Sequence, residues 1–108
     1  MSSFDDREKA FETKFALDQE LAFRVAARRN RLLGEWAAGL MGLTKEETDA
    51  YAKAVVQADF EEAGDEDVIR KVMGDLVSAG VDMDEQRVRT ALSDKAAEAR
   101  RQFMQEEN

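Results

Sequence analysis

The chain has 108 residues, of which 37% are charged and 44% hydrophobic, with a formal net charge of −8 and no cysteine, histidine or proline. That length supports one core rather than two, and the apolar content is too high for a disordered chain. The acidic balance disfavours nucleic acid and anionic membrane surfaces, while the missing cysteines and histidines remove disulfides, thiolate zinc sites and the commonest proton shuttle. The expected fold class is all-α: a four-helix bundle whose long first helix has an N-terminal segment that overhangs or is mobile.

The opening "MSSFDDREKAFETKF" lacks the apolar run of a signal peptide, and nowhere do eighteen apolar residues run together. A soluble cytoplasmic protein without direct membrane contact is expected. Ser3 suits an N-cap, with Asp5 and Asp6 in the positive first turn, and helix formers then continue from about Asp5 to about Met41. Leu21, Val25, Leu32, Trp36 and Leu40 recur at helical steps and predict the buried stripe, on one long helix or two nearly continuous ones.

Ahead of that stripe, Phe4 lies seven residues before Phe11, which lies four before Phe15, so a helix aligns all three rings. Such a stripe either docks on the protein's own bundle or enters a partner's groove. Length favours the partner, because a first helix near forty residues outruns the other three.

The same helix carries "ARRNRLLG", Ala27 to Gly34, where Arg24, Arg28 and Arg31 make a basic strip at i, i+4 and i+7. Arginine forks suit phosphate oxygens. The alternative is a solvated face in which Glu20 pairs with Arg24 and Glu35 with Arg31. Gly34 permits close approach of a ligand or of a neighbouring helix.

"TKEE", Thr44 to Glu47, has the capping-box form and predicts a second helix from about Lys45 to no later than Gly64, with Tyr51, Val55 and Ala58 on its inner face. Asp65 is the expected N-cap of a third helix bearing Ile69, Val72, Met73 and Leu76, which Gly80 stops. The acidic run "DFEEAGDED" between these helices lacks the register of an EF-hand loop, so caps and helix dipoles account for it better than calcium. Asp82 with Glu85 predicts the start of a fourth helix, carrying Val88, Leu92, Ala96, Ala99 and Phe103 and fraying over "QEEN". Trp36 and Tyr51 are expected in the core or a groove. No Ser or Thr has an evident base, no carboxylate pair is singled out and no glycine-rich phosphate loop is present, so the chain is not expected to be an enzyme.

With "FDDREKAFETKFA", "ARRNRLLGEWAAGLMG" and "ADFEEAGDEDVIRKVMGDL" in view, the chain resembles the zeta subunit of alphaproteobacterial F-type ATP synthases, a small natural inhibitor of the rotary motor. After about Gly80 the likeness is one of helical character and acidic ends. The resemblance implies two regions: an inhibitory segment over 1–18, entering the interface between the alpha, beta and gamma subunits and blocking rotation in the hydrolytic direction, and a four-helix bundle over 19–108. Phe4, Phe11 and Phe15 would anchor that segment, with Asp5, Arg7, Glu8, Lys9 and Lys14 setting register and steering.

It further implies no required cofactor but regulatory adenine nucleotide, ADP or ATP, on the bundle. Charge places its phosphates near Arg28 or Arg31, with Asn30, Gly34 and Ala37 as lining; Arg70 and Lys71 are the competing location. A monomer when free is expected. The reading from a different class is a helical adaptor or chaperone-like module that leaves ATPase turnover unchanged.

Overall fold

A computed structural model describes the backbone of residues 3–59 and 64–106 and the side chains of 18–59 and 64–105. Four helices follow in order: α1 (Ser3–Met41), α2 (Lys45–Ala58), α3 (Glu66–Ser78) and α4 (Glu85–Glu106). All four are thus joined by short connections, and α1 is one unbroken helix of 39 residues, about 58 Å long against about 33 Å for the 22 residues of α4. Helix α1 packs chiefly on α2 and α4, and also touches α3. Among the described residues α2 and α4 make no contact with each other, so they sit on opposite sides of the α1–α3 pair. From Asp18 to Arg24 every residue of α1 is exposed, and burial begins at Val25, so the helix overhangs the bundle as its length implies.

The helix boundaries follow local chemistry. At α2 the capping box forms in full: the Glu47 amide donates to Thr44 Oγ1 at 3.2 Å and the Thr44 amide to Glu47 Oε1 at 2.8 Å. That backbone N–H holds the Glu47 carboxyl below its ordinary range. Helices α1 and α3 both end in the same motif. Leu43 N–H reaches the Ala38 carbonyl and Val81 N–H the Leu76 carbonyl, around Gly42 at φ 72° and Gly80 at φ 81°. This left-handed turn is nearly free of strain only for glycine.

Two expected caps differ. Asp65 stands before α3 in αR conformation and its side chain makes no cap hydrogen bond, because its carboxylate is committed to Arg29 at 3.0 Å. At α4 the cap is Asp84 rather than Asp82: Asp84 Oδ1 accepts from the Arg87 amide at 2.8 Å. The shift of two residues puts Met83 just before the cap and Val88 at the fourth helical position, and both lie in the core, as in a hydrophobic staple.

The core gathers Leu33 and Ala37 of α1, Val55 of α2, Val68, Ile69, Val72 and Leu76 of α3, and Val88, Ala91 and Leu92 of α4. Trp36, Tyr51 and Met73 pack partly buried against it. The inner face of α1 therefore differs from the expected stripe. Leu21 and Leu40 are exposed, and the fully buried positions are Asn30, Leu33, Ala37 and Ala38. The reason is small-residue packing. A Cβ placed on Gly34 would lie 2.8 Å from Ala52 Cα and 3.3 Å from Val55 Cγ2, so α1 and α2 approach backbone to backbone where Gly34 meets Ala52.

Replacing Gly34 by alanine adds helix propensity yet drives backbone apart, so Gly34→Ala should destabilise by about 1–3 kcal/mol in urea unfolding. Gly74, mid-helix with open space around it, is the control. Gly74→Ala should stabilise by about 0.5–1 kcal/mol.

Between α2 and α3 the Tyr51 hydroxyl donates to Asp75 Oδ2 at 2.8 Å. Burial, then the hydrogen bond and charge of Asp75, push the phenol well above its ordinary value. The folded state thus favours the protonated phenol: the contribution is fully present below about pH 10 and lost as pH rises beyond it, when the unfolded chain releases the proton first. Because the chain has one tyrosine, tyrosinate absorbance should appear only with alkaline unfolding, and Tyr51→Phe should flatten the melting temperature above pH 10.

Candidate functional site: the faces of the first helix

The basic strip does not converge on one point. Arg24 pairs with Glu20 at 2.6 Å on the open surface. Arg28 turns toward α4, donating to Gln102 Oε1 at 2.7 Å with its guanidinium 4.7 Å from the centroid of the Phe103 ring. Arg31 turns toward α2, at 2.8 Å from Asp49 and 3.4 Å from Glu35. Asp49 keeps that guanidinium cationic, and Arg31 with Lys53 holds the Asp49 carboxyl below its ordinary range. Arg28 and Arg31 therefore link α1 to its neighbours, while Arg24 pairs within α1.

The residues set beside it are interior. Asn30 and Ala37 have no exposed surface. Gly34 is the closest point between α1 and α2, so of its two alternatives the neighbouring helix is what approaches. Asn30 Oδ1 accepts from Arg29 Nε at 3.0 Å, while its buried Nδ2 has no partner among the described residues.

Arg29 had no evident role in the sequence, and it is the most buried ion-pairing arginine among those described. With 13% of its side chain exposed it meets Asp65 at 3.0 Å and Asp59 at 3.8 Å. It thereby ties α1 to both ends of the α2–α3 connection and accounts for two acids of the run from Asp59 to Asp67. No i,i+4 rule links residue 29 to 59 or 65, so only an expectation of tertiary pairing could have found it.

Arg70 and Lys71 lie elsewhere, on an open pocket of about 460 Å³ between α2 and α3, lined also by Ala54, Gln57, Ala58 and Asp67. Arg70 Nη1 donates to Asp67 Oδ1 at 3.2 Å and Lys71 Nζ to Asp75 Oδ2 at 3.1 Å, with Lys71 also 5.4 Å from the centroid of the Tyr51 ring. The Asp67 side chain is 9% exposed and its Oδ2 has no partner among the described residues. Two cations beside a buried acceptor suit a ligand that is anionic at one end and donates a hydrogen bond at the other.

A second open trough, about 520 Å³ in volume and apolar, separates α1 from α4; Leu21, Ala22 and Val25 face Ala96, Arg100 and Phe103 across it. The expected partner-binding side chains Phe4, Asp5, Arg7, Glu8, Lys9, Phe11, Lys14 and Phe15 lie outside the described residues, although the backbone over them belongs to α1. Among the described residues no helix is long and apolar enough to cross a membrane.

Comparison with curated proteins returned no match. A protein whose structure was solved by solution NMR shares 48% sequence identity with the chain; the match covers 78% of this chain and 95% of that one, with a TM-score of 0.70. The model of the family described as ATPase inhibitor subunit zeta matches residues 1–102. A match over nearly the whole length, on a bundle with a protruding first helix, means that the chain belongs to the ATPase inhibitor subunit zeta family.

Proposed function

We propose that the chain restrains ATP hydrolysis by an F-type ATP synthase and performs no chemistry itself. The segment from Ser2 to Asp18 enters the interface of the alpha, beta and gamma subunits and blocks the rotor in the hydrolytic direction. The observation that carries this reading is the continuity of α1, which runs without a break from Ser3 into the bundle, where α2, α3 and α4 all pack on it. A load on an inserted N-terminal segment therefore passes along hydrogen-bonded helix to a folded body too wide to follow it. One sense of rotation tightens such a wedge and the other expels it. Three phenylalanines burying about 150–200 Å² each supply on the order of 10 kcal/mol gross for insertion, before ordering costs. The acting form is a cytoplasmic monomer, held at the inner membrane through the synthase alone.

Regulation by ADP or ATP fits the α2–α3 pocket better than the α1 strip, since Arg28 and Arg31 are engaged in interhelical contacts. Arg70 and Lys71 would take the phosphates, and Asp67 Oδ2 would accept from an amino or hydroxyl group.

The test is hydrolysis by a zeta-depleted alphaproteobacterial catalytic sector, with the full chain beside a version starting at Gln19, both checked for helicity. The full chain should inhibit and the truncated one should not. Inhibition by both moves the blocking surface to the bundle, and inhibition by neither leaves a binding module without effect on turnover. Titration of the full chain with ADP, followed at each amide, should move 57–58 and 67–71. Movement confined to 28–37 returns the site to the strip, and none at all removes nucleotide from the account.

A further inference from the structure

Exposed apolar surface is concentrated at one end of the bundle. Of the large hydrophobic side chains that are exposed among the described residues, Leu21, Phe23 and Met104 lie there, at 40%, 56% and 66% exposure, leaving only Leu40 and Val77 elsewhere. Leu21 and Met104 both line the trough between α1 and α4.

Register connects this trough to the inhibitory segment. Alternating steps of four and three along α1 run from Phe4 through Glu8, Phe11, Phe15, Asp18, Ala22 and Val25 to Arg29, and the last four of these line the trough. The trough's α1 wall is the continuation of the phenylalanine register. From Phe15 to Ala22 is about 10 Å along the helix axis.

The rim is charged on both walls, with Asp18 on the α1 side and Arg100 on the α4 side. Arg100 lines the trough, is exposed, and makes no ion pair or hydrogen bond among the described residues, although the chain has eight more acids than bases. Other described arginines of α4 are not all so placed: Arg89 is held by Glu66 and Glu85, and Arg87 donates to the Asp82 carbonyl. An unpaired cation beside an apolar channel matches an amphipathic helix that brings its own carboxylate.

We infer that the α1/α4 trough is a second docking surface for the ATPase, receiving an amphipathic helix of the catalytic sector whose apolar stripe lies on Ala22, Val25 and Phe103 and whose carboxylate pairs with Arg100. This rests on the inhibitor reading given above. The inserted segment blocks the rotor, whereas the trough fixes the bundle against the stationary surface from which α1 emerges. Residence on the enzyme, rather than the block itself, is what the trough sets.

The experiment uses full-length variants on the zeta-depleted catalytic sector. Arg100→Glu should raise the half-inhibitory concentration about tenfold or more, chiefly through faster release, with helicity and melting temperature unchanged. Arg101→Glu makes the same charge change at an exposed neighbour outside the trough lining, and should stay within about threefold of the parent chain. Ala96→Phe, which fills the channel without altering charge, should weaken inhibition like Arg100→Glu. A photoreactive side chain at Met104 should cross-link to an ATPase subunit. Equal effects of the two arginine variants, unchanged inhibition with the channel filled, or a Met104 cross-link only to a second copy or to nothing, overturns the trough while leaving the inhibitor reading intact. Failure of the parent chain to inhibit overturns both.

Discussion

The approach of α1 to α2 at Gly34 and Ala52 is the constraint from which the rest of the bundle is built. With no Cβ at Gly34, α1 closes on Ala52 and Val55 of α2, and Ala52, like Ala37 and Ala38 of α1, retains no exposed surface. Small residues lose little side-chain entropy on burial, and they release the larger apolar side chains for the opposite contact. Leu33 and Val55 accordingly meet Val72, Leu76 and Val88 in the central cluster. Widening the seam would pull these side chains off a close-packed core, so one hydrogen atom's worth of space at residue 34 governs contacts contributed by all four helices.

Polar groups near that core follow from the same geometry. Arg29 lies on α1 between the end of α2 and the start of α3, and it takes Asp59 at one and Asp65 at the other. Its Nε is satisfied by Asn30 Oδ1, which brings an amide into a fully buried position. A buried charged group costs several kcal/mol unless it is paired and hydrogen-bonded, and Arg29 is both. Held at Asp65, the start of α3 is fixed, so the tertiary ion pair does at Asp65 what a local cap does at Thr44 and Asp84.

Features governed by near neighbours in the chain were legible in the sequence, and features governed by tertiary partners were not. The four helices, the capping box at Thr44, the glycine stop at Gly80 and the pairs Glu20–Arg24 and Arg31–Glu35 all arise within five residues, and each stands as the pattern requires. The inner face of α1 does not follow the large apolar stripe, because its closest approach to α2 is at Gly34, where a Cβ would meet Ala52. Leu21 and Leu40 face outward while Asn30, Ala37 and Ala38 are enclosed. The sequence pattern points to Asp82 with Glu85, whereas Asp84 caps α4 because Met83 is drawn into the core. Arg29 carried no signal because its partners are 30 and 36 positions away. Of the candidate site residues, Arg70 and Lys71 share a pocket, while Arg28 and Arg31 point to different helices.

These placements divide α1 into two regimes. From Val25 onward it packs on the bundle, and its arginines reach α2, the flanks of the α2–α3 connection and α4. Before Val25 the described turns are exposed, yet they keep Leu21 and Phe23, which a purely solvated helix extension has no need of. Of these, Leu21 lines the trough between α1 and α4, and α4 contributes to the same surface through Phe103 and Met104. The Arg28–Phe103 contact lies at the boundary: it anchors the last turns of α4 to α1 and so holds the trough's two walls at a fixed separation. A rigid trough set on the axis of the protruding helix lets one binding event orient both, because the helix that reaches into the partner is also the wall against which the bundle comes to rest.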